Sequence, residues 1–215
     1  MEKPPFEVNM ELEGWNLFWT RLELVPGNED RLAAARADVA MRARARLTLE
    51  NLAAHPPIAA LRRLFRAAGC DPTRYRPSAE ALLRRILTGE ELPALHPLVD
   101  INNCLSVELA VPCCVMREDS FAPPLALRAG REGENYESLR GPFNLAGKPL
   151  LCDASGPLDT PITGNDRVKV NADTDIAWLV AYLPDRTVSA EAASAALKRL
   201  LAAAPAARAA QISAC

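Results

Sequence analysis

Pro112 divides the chain into two stretches with different periodicities, and this switch constrains the fold most. Before it, long stretches lack strand-like alternation and carry apolar residues at helical spacing. After it, apolar residues come in short runs separated by Gly, Pro, Asn and Asp. Residues 29–54 are rich in Ala, Arg and Leu and contain neither Gly nor Pro, so they predict a helix. Pro56 and Pro57 break it and open a second helix that ends near Ala68, with Gly69 as its C-terminal cap. Ser78 reads as the N-cap of a third helix reaching Thr88, with Gly89 beyond. A fourth spans about residues 97–111, with Leu98, Ile101, Leu105 and Leu109 as its buried stripe.

Strands are expected at residues 6–8 and 17–25, and after Pro112 at 125–128, 150–152, 168–170 and 176–182. From Thr187 an Ala-rich helix follows, with Ser189 as a candidate cap, and residues 208–215 are expected to fray. The order strands, helices, strands, helix predicts an α+β fold. A helical subdomain over about residues 29–111 packs on a mixed or antiparallel sheet or sandwich. The expected division is one domain over residues 1–183, then a helix and frayed tail over 184–215.

Composition narrows the function classes. The chain has 25 basic and 27 acidic residues and a net charge of −2, unlike a protein that coats duplex DNA by charge alone, although a local basic patch remains compatible with it. No apolar run is long enough to span a membrane, and the first ten residues carry charges and prolines rather than an export signal, so a cytoplasmic location with reduced thiols is expected. The six cysteines and two histidines lack zinc-ligand spacing, and no cofactor is expected. No phosphate-binding Gly-rich loop, dinucleotide fingerprint or nucleophile elbow occurs. His55 and His96 each precede a proline at a helix entry and read as turn residues; Cys113 and Cys114 read as small apolar residues.

The informative stretch is the helix before Pro112. Asp100, Asn102, Asn103 and Glu108 are polar within an otherwise apolar segment, and Asp100, Cys104 and Glu108 lie close to one line on it. Adjacent asparagines are poor helix formers and point to hydrogen-bonding work, either in a structural network or at a ligand.

Asp100-x-x-Asn103 followed by Glu108-Leu109-x-x-Pro112 resembles a segment of the B3/B4 editing module of bacterial phenylalanyl-tRNA synthetase β subunits. The resemblance continues in register through Arg128 with its Glu132-Gly133-Glu134 turn, Asp153 with Gly156, Gly164-Asn165-Asp166, and Asp173-Thr174. Upstream, Gly69, Pro72, Tyr75, Pro77, Glu80 and Arg85 are similar to the helical lead-in of freestanding members, so the match covers roughly residues 55–183.

The resemblance implies binding of the tRNA acceptor end and hydrolysis of tRNA charged with the wrong amino acid, without a metal. It implies a pocket between the loop at 164–169 and the C-terminal half of the 97–112 helix, with Asp166 as the specificity residue and Asn165 and Thr174 as hydrogen-bonding groups. Arg167 and Lys169 would meet a terminal phosphate or ribose. Asp100, Asn103, Glu108, Arg128 and Asp153 would organise the frame around the pocket. Asp166 reads equally as a turn residue after Gly164-Asn165.

This sequence also departs from the family pattern. Asp166 is one methylene shorter than the family's acid, Arg117 stands where the family has Asp, and no histidine follows His96. A complete synthetase is not expected. Three readings stay open: a trans-acting aminoacyl-tRNA hydrolase, a non-catalytic RNA-binding module, and a domain that uses the pocket for an amino acid or other small molecule. Arg62, Arg63 and Arg66, Arg74 and Arg76, and Arg84 and Arg85 make the central helices locally basic, which suits a nucleic-acid contact and ordinary solvated helix faces equally; tRNA is the partner the resemblance implies, and neither DNA nor a membrane is expected. Oligomeric state is left open.

Overall fold

A computed structural model describes residues 3–215; Met1 and Glu2, with which the absent export signal was argued, lie outside it. Its elements are β1 (Val8–Met10), β2 (Trp15–Leu24), α1 (Glu29–Arg46), α2 (Pro56–Ala67), α3 (Ser78–Leu87), α4 (Pro97–Leu109), β3 (Cys113–Arg117), β4 (Leu125–Ala129), β5 (Asn135–Ser138), β6 (Gly141–Asn144), β7 (Pro149–Asp153), β8 (Gly156–Asp159), β9 (Ile176–Pro184), α5 (Ala190–Ala203) and β10 (Ala207–Ala214). The fold is α+β. One antiparallel sheet runs β10-β2-β9-β3. A second, mixed sheet runs β1-β4-β7-β8, with β1 parallel to β4, and β5 and β6 form a separate hairpin.

The first sheet is buried on both faces, and its strands alternate accordingly. Trp15, Leu17 and Trp19 of β2, with Trp178, Val180 and Tyr182 of β9, enter a core shared with the second sheet and with helices α2 and α3. Phe18 and Leu22 of β2, with Ala177, Leu179 and Ala181 of β9, enter a core against α4 and α5. Central strands covered on both sides read as continuous apolar runs, as β9 does.

Helix α4 lies between the layers and is buried on nearly every side, so its polar side chains must find partners within the protein. The His96 imidazole caps its start, where Nδ1 accepts from the Leu98 N–H at 3.3 Å, and Pro97 occupies the first turn. At its end Ala110 takes a left-handed conformation at φ 55°, and the Ser106 hydroxyl donates to the Val111 carbonyl at 2.7 Å before Pro112 forbids another turn.

Several boundaries differ from those the sequence predicts. The first helix ends at Arg46 rather than near Ala54. Thr48 and Asn51 exchange side-chain and backbone hydrogen bonds at 2.9 and 3.3 Å, closing a turn that competes with further helix. Pro77 rather than Ser78 takes the N-cap position of α3; the Ser78 N–H donates instead to the Pro161 carbonyl at 2.9 Å. The strand expected at 168–170 is absent: Asp166–Val168 form a 3-10 turn, which Asn165 caps. The tail expected to fray is the edge strand β10, antiparallel to β2 from Ala207 opposite Leu24 to Ala214 opposite Phe18. Ser189 does cap α5, accepting from the Ala192 N–H at 3.2 Å.

Candidate functional site

The polar residues of α4 hold the helices together. Asp100 pairs with Arg36 of α1 and accepts from the Leu95 N–H at 2.9 Å. Glu108, further along the same line, binds Arg42 of α1 at 2.7 Å and lies 3.9 Å from Arg199 of α5. Asn102 donates to Asn103 at 3.3 Å, and its own carbonyl oxygen has no partner among the described residues. Arg128 forms a two-pronged pair with Glu134 at 2.8 and 2.6 Å, and the Arg131 N–H adds a bond at 2.6 Å, so the Arg-to-Glu-Gly-Glu spacing builds a pinned turn. That guanidinium holds the Glu134 carboxyl down at about 2.

Asp153 anchors the loop at 164–169. Arg167 donates to it at 3.2 and 3.1 Å, and the Ala122 and Ser155 N–H groups donate at 2.9 and 2.8 Å. Burial opposes its charge, but the Arg167 bond and the backbone donors outweigh that and hold its carboxyl below the usual range. Arg167 also reaches the Ser120 carbonyl at 3.1 Å. Asn165 uses both ends of its amide, donating to the Pro157 carbonyl at 2.8 Å and accepting from the Arg167 N–H at 3.0 Å. Asp166 is exposed and pairs with Lys169 at 2.5 Å. The Thr174 hydroxyl is engaged within its own turn, with Asn171 at 2.9 and 3.0 Å. The structure thus joins Asp153 to Arg167 and Asp166 to Lys169, and gives Thr174 a separate network.

Behind Gly164 lies a buried polar cluster that the sequence does not signal. Asp159, at the end of β8, is 1% exposed, and the Tyr182 hydroxyl donates to it at 2.5 Å. Burial pushes its carboxyl up to about 7, against the pull of hydrogen bonds from Tyr182 and Cys114. Gly164 packs directly on this group: a Cβ there would sit 3.1 Å from Asp159 Oδ1 and 3.8 Å from Cys114 Sγ. Tyr136 closes the segment by bonding to Thr160 at 3.1 Å and to the Thr163 carbonyl.

A cationic face is built around Tyr75. Gly69 and Gly147, both in the left-handed region, bring the loop after α2 against the turn before β7; a Cβ on Gly147 would lie 3.0 Å from the Gly69 carbonyl oxygen. That contact sets Tyr75 edge-on to Phe143, with ring centroids 6.0 Å apart. The Lys148 ammonium lies 4.0 Å from the Tyr75 centroid and 5.3 Å from that of Phe143, and the Arg74 guanidinium lies 5.2 Å from Tyr75. Lys148 is 3% exposed and has no carboxylate partner among the described residues; burial lowers its pKa. Of the arginines flagged by the sequence, Arg62 and Arg84 are bound to buried Glu80 and Arg85 to Glu90. Arg63, Arg66, Arg74 and Arg76 are exposed and have no ion-pair partner among the described residues.

A cavity of about 440 Å³ lies against the C-terminal half of α4, on a different side from the pocket expected between that helix and the 164–169 loop. Its walls are α1 and α5, and no residue of the 164–169 loop lines it. No group of three or more His, Cys, Asp or Glu side chains able to hold a metal ion occurs among the described residues, and none of their helices is long and apolar enough to cross a membrane.

The sequence profile of the B3/4 domain matches residues 60–203, from α2 through α5. The chain belongs to the B3/4 domain family. The match includes the α4 motif, the pinned turn at Arg128 and Glu134, and the cationic face of this B3/4 domain. No curated protein matches the chain. Among solved structures it is similar to an N-terminal fragment of the phenylalanyl-tRNA synthetase β subunit from Pyrococcus horikoshii, at 14% identity and a TM-score of 0.49. That likeness covers 97% of this chain and 51% of the archaeal one, so the chain spans about half the length of that fragment.

Proposed function

We propose that this B3/4 domain binds the acceptor arm of tRNA. The observation that carries this reading is the set of exposed arginines, Arg63, Arg66, Arg74 and Arg76, that have no ion-pair partner among the described residues. Arg74 lies over the Tyr75 ring at 5.2 Å from the solvent side while buried Lys148 braces it at 4.0 Å from within. Cations placed this way suit phosphate oxygens, which position a nucleic acid without reading its sequence. An aromatic ring among them offers a stacking surface for an unpaired base.

A second reading, hydrolysis of mischarged tRNA in trans, is favoured by Asp159. A carboxyl that titrates near neutrality suits removal of a proton from an attacking water, and Asp159 adjoins the loop that begins at Gly164. On this reading Asp166, Asn165 and Thr174 contact the aminoacyl group and Arg167 and Lys169 the terminal phosphate, and the segment over Asp159 must open to admit water.

A tRNA-binding and deacylation series separates the two readings. Arg74→Glu and Arg66→Glu should each weaken tRNA binding about ten-fold, the order expected for loss of a charged contact. Parent affinity in both variants would sink the binding reading. Hydrolysis that disappears in Asp159→Asn or Asp166→Ala, with tRNA affinity retained, would establish the second reading; a parent protein inactive against a full panel of aminoacyl-tRNAs would remove it.

A further inference from the structure

We propose that the trough between α1 and α5 is a binding site for a small amphipathic anion, a carboxylate carrying an apolar chain. This site is separate from the cationic face around Tyr75. Three helices each turn one face toward it. On α1 the residues Arg31, Ala34, Ala35, Asp38 and Arg42 recur at the three- and four-residue spacing of a single helical face. On α5 the corresponding face is Ala196, Arg199 and Ala203, and α4 forms the floor with Leu105.

Alanines create the trough. Where α1 and α5 flank α4, Ala34, Ala35, Ala196 and Ala203 leave space that larger side chains would fill. The volume of about 440 Å³ falls within the range of small-molecule sites, roughly 300–1,000 Å³. The stretch of α1 that walls it, from Arg31 to Arg42, covers about 16 Å of helix.

The rim gives the sign of the ligand charge. Asp38 and Arg42 pair at 3.0 Å, and Arg42 also holds Glu108 at 2.7 Å. Arg31 has no ion-pair partner among the described residues, and Arg199, 67% exposed at its side chain, reaches Glu108 only at 3.9 Å. The three arginines and two acids at the trough leave one positive charge unbalanced. An apolar body therefore lies along the alanines, with its carboxylate toward Arg31, the trough arginine without an ion-pair partner among the described residues. An organic cation would meet the excess positive charge instead.

The test uses the whole chain and decanoate below its micellar concentration, with decyltrimethylammonium and decanol as probes of the same chain length, read by calorimetry. Decanoate should bind saturably at one site and at least ten-fold more tightly than the ammonium or the alcohol. Ala34→Trp, at an exposed position that fills the trough without disturbing the core, should abolish binding. Arg31→Glu should weaken it at least ten-fold. Far-ultraviolet circular dichroism would confirm that both variants are folded. The proposal is overturned if decanoate fails to bind at millimolar concentration, if it binds no better than the ammonium, or if Ala34→Trp leaves its affinity unchanged. It is also overturned if sedimentation shows a dimer that Ala34→Trp dissociates, since a second copy would then occupy the trough.

Discussion

At the scale of single residues, the buried carboxyl of Asp159 makes the clearest prediction. Its folded-state pKa of about 7 lies above its ordinary value of 3.8, so the folded state binds this proton more tightly than the unfolded state does. The resulting stability is fully present below pH 3.8, falls as pH rises, and is lost once pH passes about 7. The slope across that window is at most about 1.4 kcal/mol per pH unit. Asp159→Asn, which still accepts the Tyr182 hydroxyl, should flatten it in denaturant unfolding at several pH values; an unchanged slope would show that Asp159 does not titrate there. Glu134 contributes with the opposite sign: its carboxyl lies at about 2, so its stabilisation is lost as pH falls toward that value. Sequence reading could not find the Asp159 cluster, because Cys114, Asp159, Gly164 and Tyr182 come from separate segments and carry no spacing signal. It could find Asp153, Asn165 and Asp166 as polar positions, but not that Asp153 pairs with Arg167, because the two lie on separate segments.

At the scale of elements, ion pairs between helices decide how the helical layer docks. Glu80 is wholly buried and takes Arg62 of α2 as well as Arg84 of its own helix, at 2.9 and 3.2 Å. Glu80→Ala leaves half-buried Arg62 without a counter-charge and should cost about 3 kcal/mol, the low end for breaking a buried pair. Chemical denaturation measures this, and a loss below about 1 kcal/mol would mean that Arg62 finds water instead. Asn103→Ala and Glu108→Ala should each cost about 1–3 kcal/mol through the partners they leave unpaired. Unchanged stability would remove the framing role given to α4. Deleting residues 207–215 strips β10 from β2 and bares an edge beside Trp19 and Phe18. A lower melting temperature and visible light scattering are expected, and a truncated chain that melts like the parent would make β10 dispensable.

The helices were legible because long runs free of Gly and Pro leave few alternatives. The end of the first was not, because the Thr48 and Asn51 side chains close a turn locally that helix propensity does not report. The strand β10 was missed because its Ala-rich sequence has little strand propensity, and pairing with β2 supplies what propensity does not.

At the scale of the molecule, a net charge of −2 hides an uneven surface. Acids pair with arginines inside the helical layer, while Arg63, Arg66, Arg74 and Arg76 are exposed and have no ion-pair partner among the described residues. The sequence showed the basic clusters but not which arginines were already engaged, since that depends on Glu80 and Glu90 in the folded chain. The family could be read from motif order, and the α+β architecture from the switch at Pro112. The central claim is that this face holds tRNA phosphates. It is tested most directly by the salt dependence of tRNA affinity between about 50 and 200 mM monovalent salt. Four phosphate contacts predict a slope of log K against log salt of roughly −3. The double variant Arg66→Glu, Arg74→Glu should bind more weakly and lose about one unit of slope for each contact removed. An affinity and slope identical to those of the parent would contradict the account.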